Sequence, residues 1–345
     1  MRLTQLGWDD RWADAFDALN LGADTAPGRV VIAFNYLYRV WTGTGELETT
    51  ASGRLKHRTA RRSEMPVVGD WVAVRRRREE TGVIVAALPR RSAFSRKTAG
   101  TVTDEQIVAA NVDVVFVVMA LDADFNLRRL ERYLILARES GASPVVLLTK
   151  PDLSQAVDAQ LAEAASLSGA VPVHVVSPKM STGLEHVTAY LTTGRTGALL
   201  GSSGVGKSTI INRLIGEDVQ RTREVREADS RGRHTTSHRE LIVLPTGGLI
   251  IDTPGMRELQ LWDVGAAVRE TFDDIETLAA RCHFTDCRHR DEPRCEVAAA
   301  VAGGRLDTRR LESYHKLQDE LLTLAQQQDE RAELEEKRRS RKRKA

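Results

Sequence analysis

The stretch Gly201-Ser202-Ser203-Gly204-Val205-Gly206-Lys207-Ser208 constrains this chain more than any other, because it fits the phosphate-loop pattern GxxxxGK[ST]. Apolar Ala198-Leu199-Leu200 precede it, and Ile210, Ile211 and Leu214 recur after it at helical spacing. That context is strand, glycine loop, helix. The glycines let backbone N–H groups turn inward around a polyphosphate, and Lys207 reaches the outer phosphates. The Ser208 hydroxyl, next to Thr209, can ligate Mg²⁺ at a helix N-terminus that already favours anions. The bland alternative is a glycine turn before an ordinary helix; the strand-to-helix setting favours nucleotide binding.

The flanking sequence alternates strands and helices, as a parallel sheet requires. From Asn111 a continuous apolar run, 114–119, reads as a buried strand, followed by a helix carrying Leu127, Leu130, Leu134 and Ala137. A strand over 145–148 ends in Thr149-Lys150-Pro151-Asp152, and one over 171–176 ends in Ser177-Pro178-Lys179. Both endings lie where doubly wound sheets bind ligands. Beyond the phosphate loop come Gly232-Arg233-His234-Thr235-Thr236, a hairpin of 241–244 with 249–251 across Gly247-Gly248, and Asp252-Thr253-Pro254-Gly255. Asp252 is a candidate Mg²⁺ partner and the Gly255 N–H a candidate sensor of the γ-phosphate.

Ahead of this lies a different texture. Trp8, Trp12, Phe16 and Leu19 recur at helical spacing and predict a short amphipathic lead helix that packs on its neighbours. From Gly28 to about Lys97, short β-rich runs separated by glycine turns predict a small barrel or sandwich. Basic residues crowd it: Arg54, Lys56, Arg58, Arg61, Arg62, Arg75 to Arg78, Arg90, Arg91, Arg96 and Lys97. A solvated basic face is one reading; RNA binding by an OB-type barrel, through phosphate contacts, is the favoured one. The net charge of +2 conceals these clusters. No apolar run approaches the ~20 residues of a membrane helix and no leader-like segment opens the chain, so a cytoplasmic protein without membrane contact is expected.

Cys282-x4-Cys287-x-His289-x5-Cys295 supplies three thiolates and an imidazole in one short loop, a set that closes a tetrahedral zinc site. Four protein ligands leave no open position, so one structural zinc per chain is expected. Helices bearing Val268, Phe272 and Ile275, then Leu311, Tyr314, Leu317 and Leu321, flank the loop. The charged tail, with Lys337, Arg338, Arg339, Arg341, Lys342, Arg343 and Lys344, reads as disordered and RNA-attracting.

Taken together, TKPD, SPK, GSSGVGKS, RHTT and DTPG resemble the five GTPase boxes in the order four, five, one, two, three, the order of circularly permuted GTPases. With a basic barrel ahead and a Cys/His cluster behind, the chain resembles the ribosome small-subunit-dependent GTPase A family. The resemblance implies a multidomain fold: a lead segment over 1–27, an OB-fold β-barrel over 28–100 and a permuted α/β P-loop GTPase domain over 101–265. A mostly helical zinc-binding domain over 266–325 and a charged tail over 326–345 complete it. It also implies a monomer that binds the 30S subunit and its rRNA and hydrolyses GTP to GDP with Mg²⁺ during late subunit maturation. The rival readings are a non-catalytic nucleotide-bound RNA-binding protein and a P-loop ATPase acting on RNA.

On the same resemblance, Asp152 accepts from the N1–H and exocyclic amine of guanine, Lys150 lays its stem along the base, and Ser177 contacts it largely through backbone. Thr149 stands where most GTPases carry Asn, which predicts modest guanine affinity. Met256 stands where many carry a water-orienting glutamine, so His234, beside Thr235, is the candidate replacement, acting with Lys207 in catalysis; an exposed loop histidine is the competing reading. In the permuted order the segment after Gly255 leads through Leu261-Trp262 straight into the cysteine module.

Overall fold

The computed structural model describes residues 2–34, 36–58, 62–78, 80–97, 105–216, 239–252, 271–290, 292–319, 322 and 326. The expected site residues His234, Thr235 and Gly255 lie outside them, as do Met256, Arg61, Leu261, Trp262, Val268, Leu321 and the basic tail. Two compact units emerge, Met1–Thr98 with Asp104–Gln260 and Ala99–Thr103 with Leu261–Ala345. Among the described residues no helix is long and apolar enough to cross a membrane.

The first unit opens with helix α1 (Asp10–Asp17), whose N-terminus is capped by the Asp9 carboxylate accepting from Trp12 N. As expected of its pattern, the segment packs: Trp8 meets Trp71 edge to face at 4.8 Å and Trp12 lies 6.2 Å from the same ring. Arg91 covers Trp12 at 4.0 Å and grips both Asp9 oxygens at 2.7 and 2.6 Å. That bond holds the Asp9 carboxyl below the usual carboxylate range.

Five strands follow: β1 (Thr25–Phe34), β2 (Leu37–Thr42), β3 (Gly45–Ala51), β4 (Trp71–Arg78) and β5 (Thr81–Ala87), with helix α2 (Gly53–Arg58) between β3 and β4. They pair in the order β1-β2-β3-β5-β4, and β4 returns to β1, closing a barrel in which only β3 and β5 run parallel. That is an OB-type barrel. Its core is Val30, Val40, Leu47, Val72, Val74 and Ile84. Along β3 the residues Leu47, Thr49 and Ala51 face inward while Glu46, Glu48 and Thr50 face out. In β4 all of Trp71 to Val74 are buried, whereas Arg75 to Arg78 are exposed.

The remainder of the sheet is the nucleotide-binding half. Strands β8 (Val114–Ala120), β9 (Ser143–Thr149), β10 (Val173–Val176), β11 (Thr196–Leu200) and β13 (Leu249–Asp252) run parallel, and β12 (Arg239–Val243) lies antiparallel to β13. The spatial order β10-β9-β8-β11-β13-β12 puts the strand before the phosphate loop in the middle. Every residue of β8 is buried, as a central parallel strand covered on both faces must be. Helix α3 (Leu127–Glu139) covers it; Asn126 caps its start and Leu130, Leu134 and Ala137 face the core. Helices α4 (Val157–Ser168), α5 (Leu184–Tyr190) and α6 (Lys207–Ile215) complete the half. A separate two-stranded ribbon, β6 (Ala93–Lys97) with β7 (Glu105–Ala110), connects barrel to sheet. The two halves are one sheet, because β1 pairs with β12 through Ile32 with Glu240 and Ala33 with Arg239.

A single buried cation pins the junction. Arg29, 2% exposed, donates to carbonyls of the lead segment (Leu6), the barrel (Gly69, 3.3 Å) and the entrance to β8 (Asn111, 3.0 Å), and lies 5.4 Å from the Trp71 ring. Burial brings it down to about 10, so it stays charged at neutral pH. Gly69 has φ of 92°, and a Cβ there would stand 2.0 Å from the Ala110 carbonyl, so only glycine fits.

The second unit contains helices α7 (Asp273–Ala279) and α8 (Glu296–Ala302) and a helical stretch over 308–319. Its buried apolar side chains include Phe272, Ile275, Val297, Leu306, Tyr314 and Leu317.

Candidate functional site

The carboxyl ends of β8, β9, β10, β11 and β13 carry every described residue expected to bind nucleotide. The phosphate loop leaves β11 at Gly201, whose φ of 155° and close approach to the Val118 carbonyl, 2.2 Å from any added Cβ, exclude a side chain. Val205 is buried and plugs the loop into the core, while Ser203 and Gly204 are exposed. Gly206 begins α6 with φ of 101°, and Ser208 and Thr209 are exposed on its first turn. Lys207 curls over the loop, its ammonium donating to the carbonyls of Gly201 (2.7 Å) and Ser202 (2.5 Å). A phosphate would offer a stronger, charged acceptor to the same ammonium. Asp252 closes β13, one strand from the loop.

The base-side residues are wired to the phosphate side. Thr149 is fully buried, and its hydroxyl donates to the Val205 carbonyl at 2.6 Å, a direct contact with the phosphate loop. Lys150 follows in the left-handed conformation (φ 57°) and begins a short 3₁₀ turn that carries Asp152. Its ammonium is 2.7 Å from Asp122. Asp152 lies 3.4 Å from Lys179, an exposed pair of little energetic weight. Ser177 is buried, and its main chain exchanges both bonds with Thr182, at 2.9 and 3.1 Å, closing the 178–181 turn.

Sequence reasoning missed three supports of this site. Arg213, on α6, donates to the Pro178 carbonyl at 3.1 Å, tying the phosphate helix to the second base loop. The Tyr133 hydroxyl on α3 lies 3.3 Å from the Ser202 hydroxyl. Asp122, just past β8, holds Lys150, and that bond keeps its carboxyl below the usual carboxylate range. Its place at a strand's carboxyl end was the available signal.

On the barrel, the basic residues divide. Arg90 is structural: it grips the buried Asp70 at 2.9 and 2.8 Å and donates to the carbonyls of Ser63 and Met65. Arg91 is committed to Asp9 and Trp12. Arg54, Lys56 and Arg75 to Arg78 are exposed. The side chains of Arg58, Arg62, Arg96 and Lys97 lie outside the described set. At the opposite end of β1 from Arg75 to Arg78, the turn between β1 and β2 exposes Phe34, Tyr36 and Leu37, with Lys56 over the Tyr36 ring at 5.4 Å.

In the second unit, Cys282, Cys287, His289 and Cys295 come together with all four ligand atoms within 4.8 Å of one another. A tetrahedral ion held at ~2.3 Å by sulfur and ~2.0 Å by nitrogen sets edges of ~3.8 Å between sulfurs and ~3.5 Å between sulfur and nitrogen. The Cys282–Cys295 sulfurs are 3.9 Å apart, and the His289 Nδ1 is 3.6 and 3.5 Å from them. The donor set therefore fits a metal ion. Burial pushes the Cys287 thiol up to about 12 and holds His289 below its ordinary value. Cys295 also caps α8, accepting from Ala298 N at 3.4 Å.

The RsgA GTPase family model matches residues 87–262, and a model described as a 50S ribosome-binding GTPase matches 196–331. The small ribosomal subunit biogenesis GTPase RsgA of Opitutus terrae is 48% identical over 95% of this chain and 92% of that protein. The crystal structure of YjeQ from Thermotoga maritima aligns with a TM-score of 0.64 at 27% identity, covering 86% of this chain and 99% of that one. The structure of YloQ, described as a circularly permuted GTPase, shares the fold at a TM-score of 0.61 and 24% identity, covering 87% and 96%.

Proposed function

The chain belongs to the RsgA GTPase family, and on that premise we propose that it docks on the small ribosomal subunit and hydrolyses GTP there during late subunit maturation. The observation that carries this reading is the single sheet in which an OB-type barrel with exposed arginines continues directly into a permuted nucleotide site. The barrel contributes phosphate contacts to rRNA through Arg54 and Arg75 to Arg78, and Tyr36 offers a ring to an unpaired base. The domain limits are those of the sequence, 28–100 for the barrel, 101–265 for the GTPase and 266–325 for the zinc module.

In the GTPase site, Asp152 accepts from guanine N1–H and its exocyclic amine, adenine offering neither in that arrangement. The Lys150 stem packs on the base and the backbone at Ser177 closes over it. The N–H groups of 201–206 and the Lys207 ammonium hold the β- and γ-phosphates. Bound Mg²⁺ would neutralise developing phosphate charge, held by Ser208 and Asp252. Gly255 senses the γ-phosphate, and His234 with Thr235 orients water and metal on the ribosome. Zinc, held by Cys282, Cys287, His289 and Cys295, is structural.

With Met256 in the water-orienting position, intrinsic turnover is expected at or below ~10⁻² s⁻¹. Single-turnover GTP hydrolysis with and without saturating purified small subunits is the test. A large rise, weakening with added salt, is expected. Equal rates with and without subunits would sink the proposal, as would ATP competing as well as GTP. His234→Ala should still bind GTP and subunits yet lose most of the stimulated rate; an unchanged rate would remove His234 from catalysis.

A further inference from the structure

Lys150 brings a long, flexible side chain to the base end of the site, and it arrives there already tethered. Its ammonium lies 2.7 Å from Asp122 Oδ2. Asp122 is itself fixed: its other oxygen accepts from the Asp124 backbone at 2.9 Å, an Asx turn that leads into the Asn126 cap of α3. Arg129 braces the turn through the Asp124 carboxylate at 2.8 Å. Below it, Leu121 N donates to the Thr149 carbonyl at 2.8 Å, so β8 and β9 remain paired up to the residue before Lys150. The carboxylate is held to the sheet on one side and to α3 on the other, and the lysine is held to the carboxylate.

As a stability element this pair is worth little, because both side chains are partly exposed, 32% for Lys150 and 23% for Asp122. Its value lies in what it does to the lysine. A free lysine stem samples many rotamers, and laying it along a purine would freeze them at the moment of binding. The tether freezes them beforehand. It also keeps the ammonium away from Asp152, two positions on, whose carboxylate must stay open to guanine N1–H. Among the described residues Asp152 meets Lys179 alone, at 3.4 Å.

We propose that Asp122 is a positioning residue for guanine-nucleotide recognition, holding Lys150 so that its stem forms a preset wall for the base and its charge stays off Asp152. This deepens, and rests on, the assignment of residues 149–152 as the base-recognition segment.

The experiment measures binding of GDP, IDP and inorganic tripolyphosphate to the full-length chain and its variants. Asp122→Asn is expected to weaken GDP and IDP alike by roughly tenfold, the scale of one preorganised side chain, and to leave tripolyphosphate affinity and the melting temperature unchanged. Asp122→Glu should recover part of the loss. On a Lys150→Met background, Asp122→Asn should add nothing, since there is no ammonium left to tether. The proposal fails if Asp122→Asn binds GDP as the unmodified chain does. It also fails if tripolyphosphate binding falls in step, which would make Asp122 a general support of the loops, or if the two substitutions add. The underlying assignment has its own control: if Asp152→Asn leaves the preference for GDP over XDP untouched, the segment does not read guanine and the tether has no base to serve.

Discussion

The phosphate loop and the cysteine–histidine loop are both short stretches of irregular chain carrying a polar site, and they are held in opposite ways. The first sits on a buried strand, is plugged by Val205, is braced from neighbouring elements by Thr149 and Tyr133, and has its own helix tied to the 178–181 turn by Arg213. Its shape precedes its ligand. The second brings four donors together among short helices, and bare thiols and an imidazole at such distances attract each other weakly. There the ligand must supply the cohesion. The difference teaches that one chain can carry a site that binds because it is rigid and another that becomes rigid because it binds.

The largest effect should come from breaking the second. Cys287→Ser is expected to release zinc and with it folding free energy on the order of 10 kcal/mol, the scale of structural zinc sites. Elemental analysis and limited proteolysis should show a metal-free chain cleaved within the second unit but still binding GDP normally. Stoichiometric zinc in that variant would overturn the ligand set.

Lys207→Ala tests the converse. Losing charge-assisted bonds to phosphate, each worth about 1.5–3 kcal/mol, should weaken GTP at least tenfold. The ligand-free melting temperature should barely move, because the loop is held by others. If removing this one side chain unfolds the first unit, the contrast drawn above is wrong.

Asp152→Asn should act on neither fold nor phosphate affinity, moving preference from GDP towards XDP as an amide donates where the carboxylate accepted. Competition binding reads it directly, and an unaltered preference would refute the role. Thr149→Val is the mildest change. Removing the hydroxyl leaves the Val205 carbonyl without its 2.6 Å donor, at a cost of about 1–3 kcal/mol in stability. GDP affinity should fall severalfold; no fall would mean the brace is idle.

What could be read beforehand was chemistry written in contiguous residues. The phosphate loop, both base loops, the 241–251 hairpin and the Cys/His spacing each declare themselves within a dozen or so positions, and the parallel sheet follows from its apolar runs. Within the barrel, β3 carries the weakest signal of its own, because Gly-Glu-Leu-Glu-Thr-Thr-Ala hides one inward face among acidic and hydroxyl side chains. The role of Thr149 escaped because its partner, Val205, is remote in sequence, and a threonine at a strand end looks the same whether it faces a ligand or a neighbouring loop. Arg29 and Arg90 read as part of a basic tract or as nothing, since only tertiary structure brings Leu6, Gly69, Asn111 and Asp70 to them. Long-range polar bonds of this kind leave no periodicity behind.

The pairing of β1 with β12 has a consequence for what can be separated. A strand at the rim of a sheet shows unpaired amides and carbonyls to any passing chain, and aggregation begins at such rims. Here the barrel's first strand caps the rim that β12 would otherwise present. A fragment beginning at Glu105 would keep its phosphate loop and its base loops yet bare that edge, and light scattering should find it self-associating where the whole chain stays dispersed. The barrel thus also covers an otherwise exposed sheet edge of the domain it precedes.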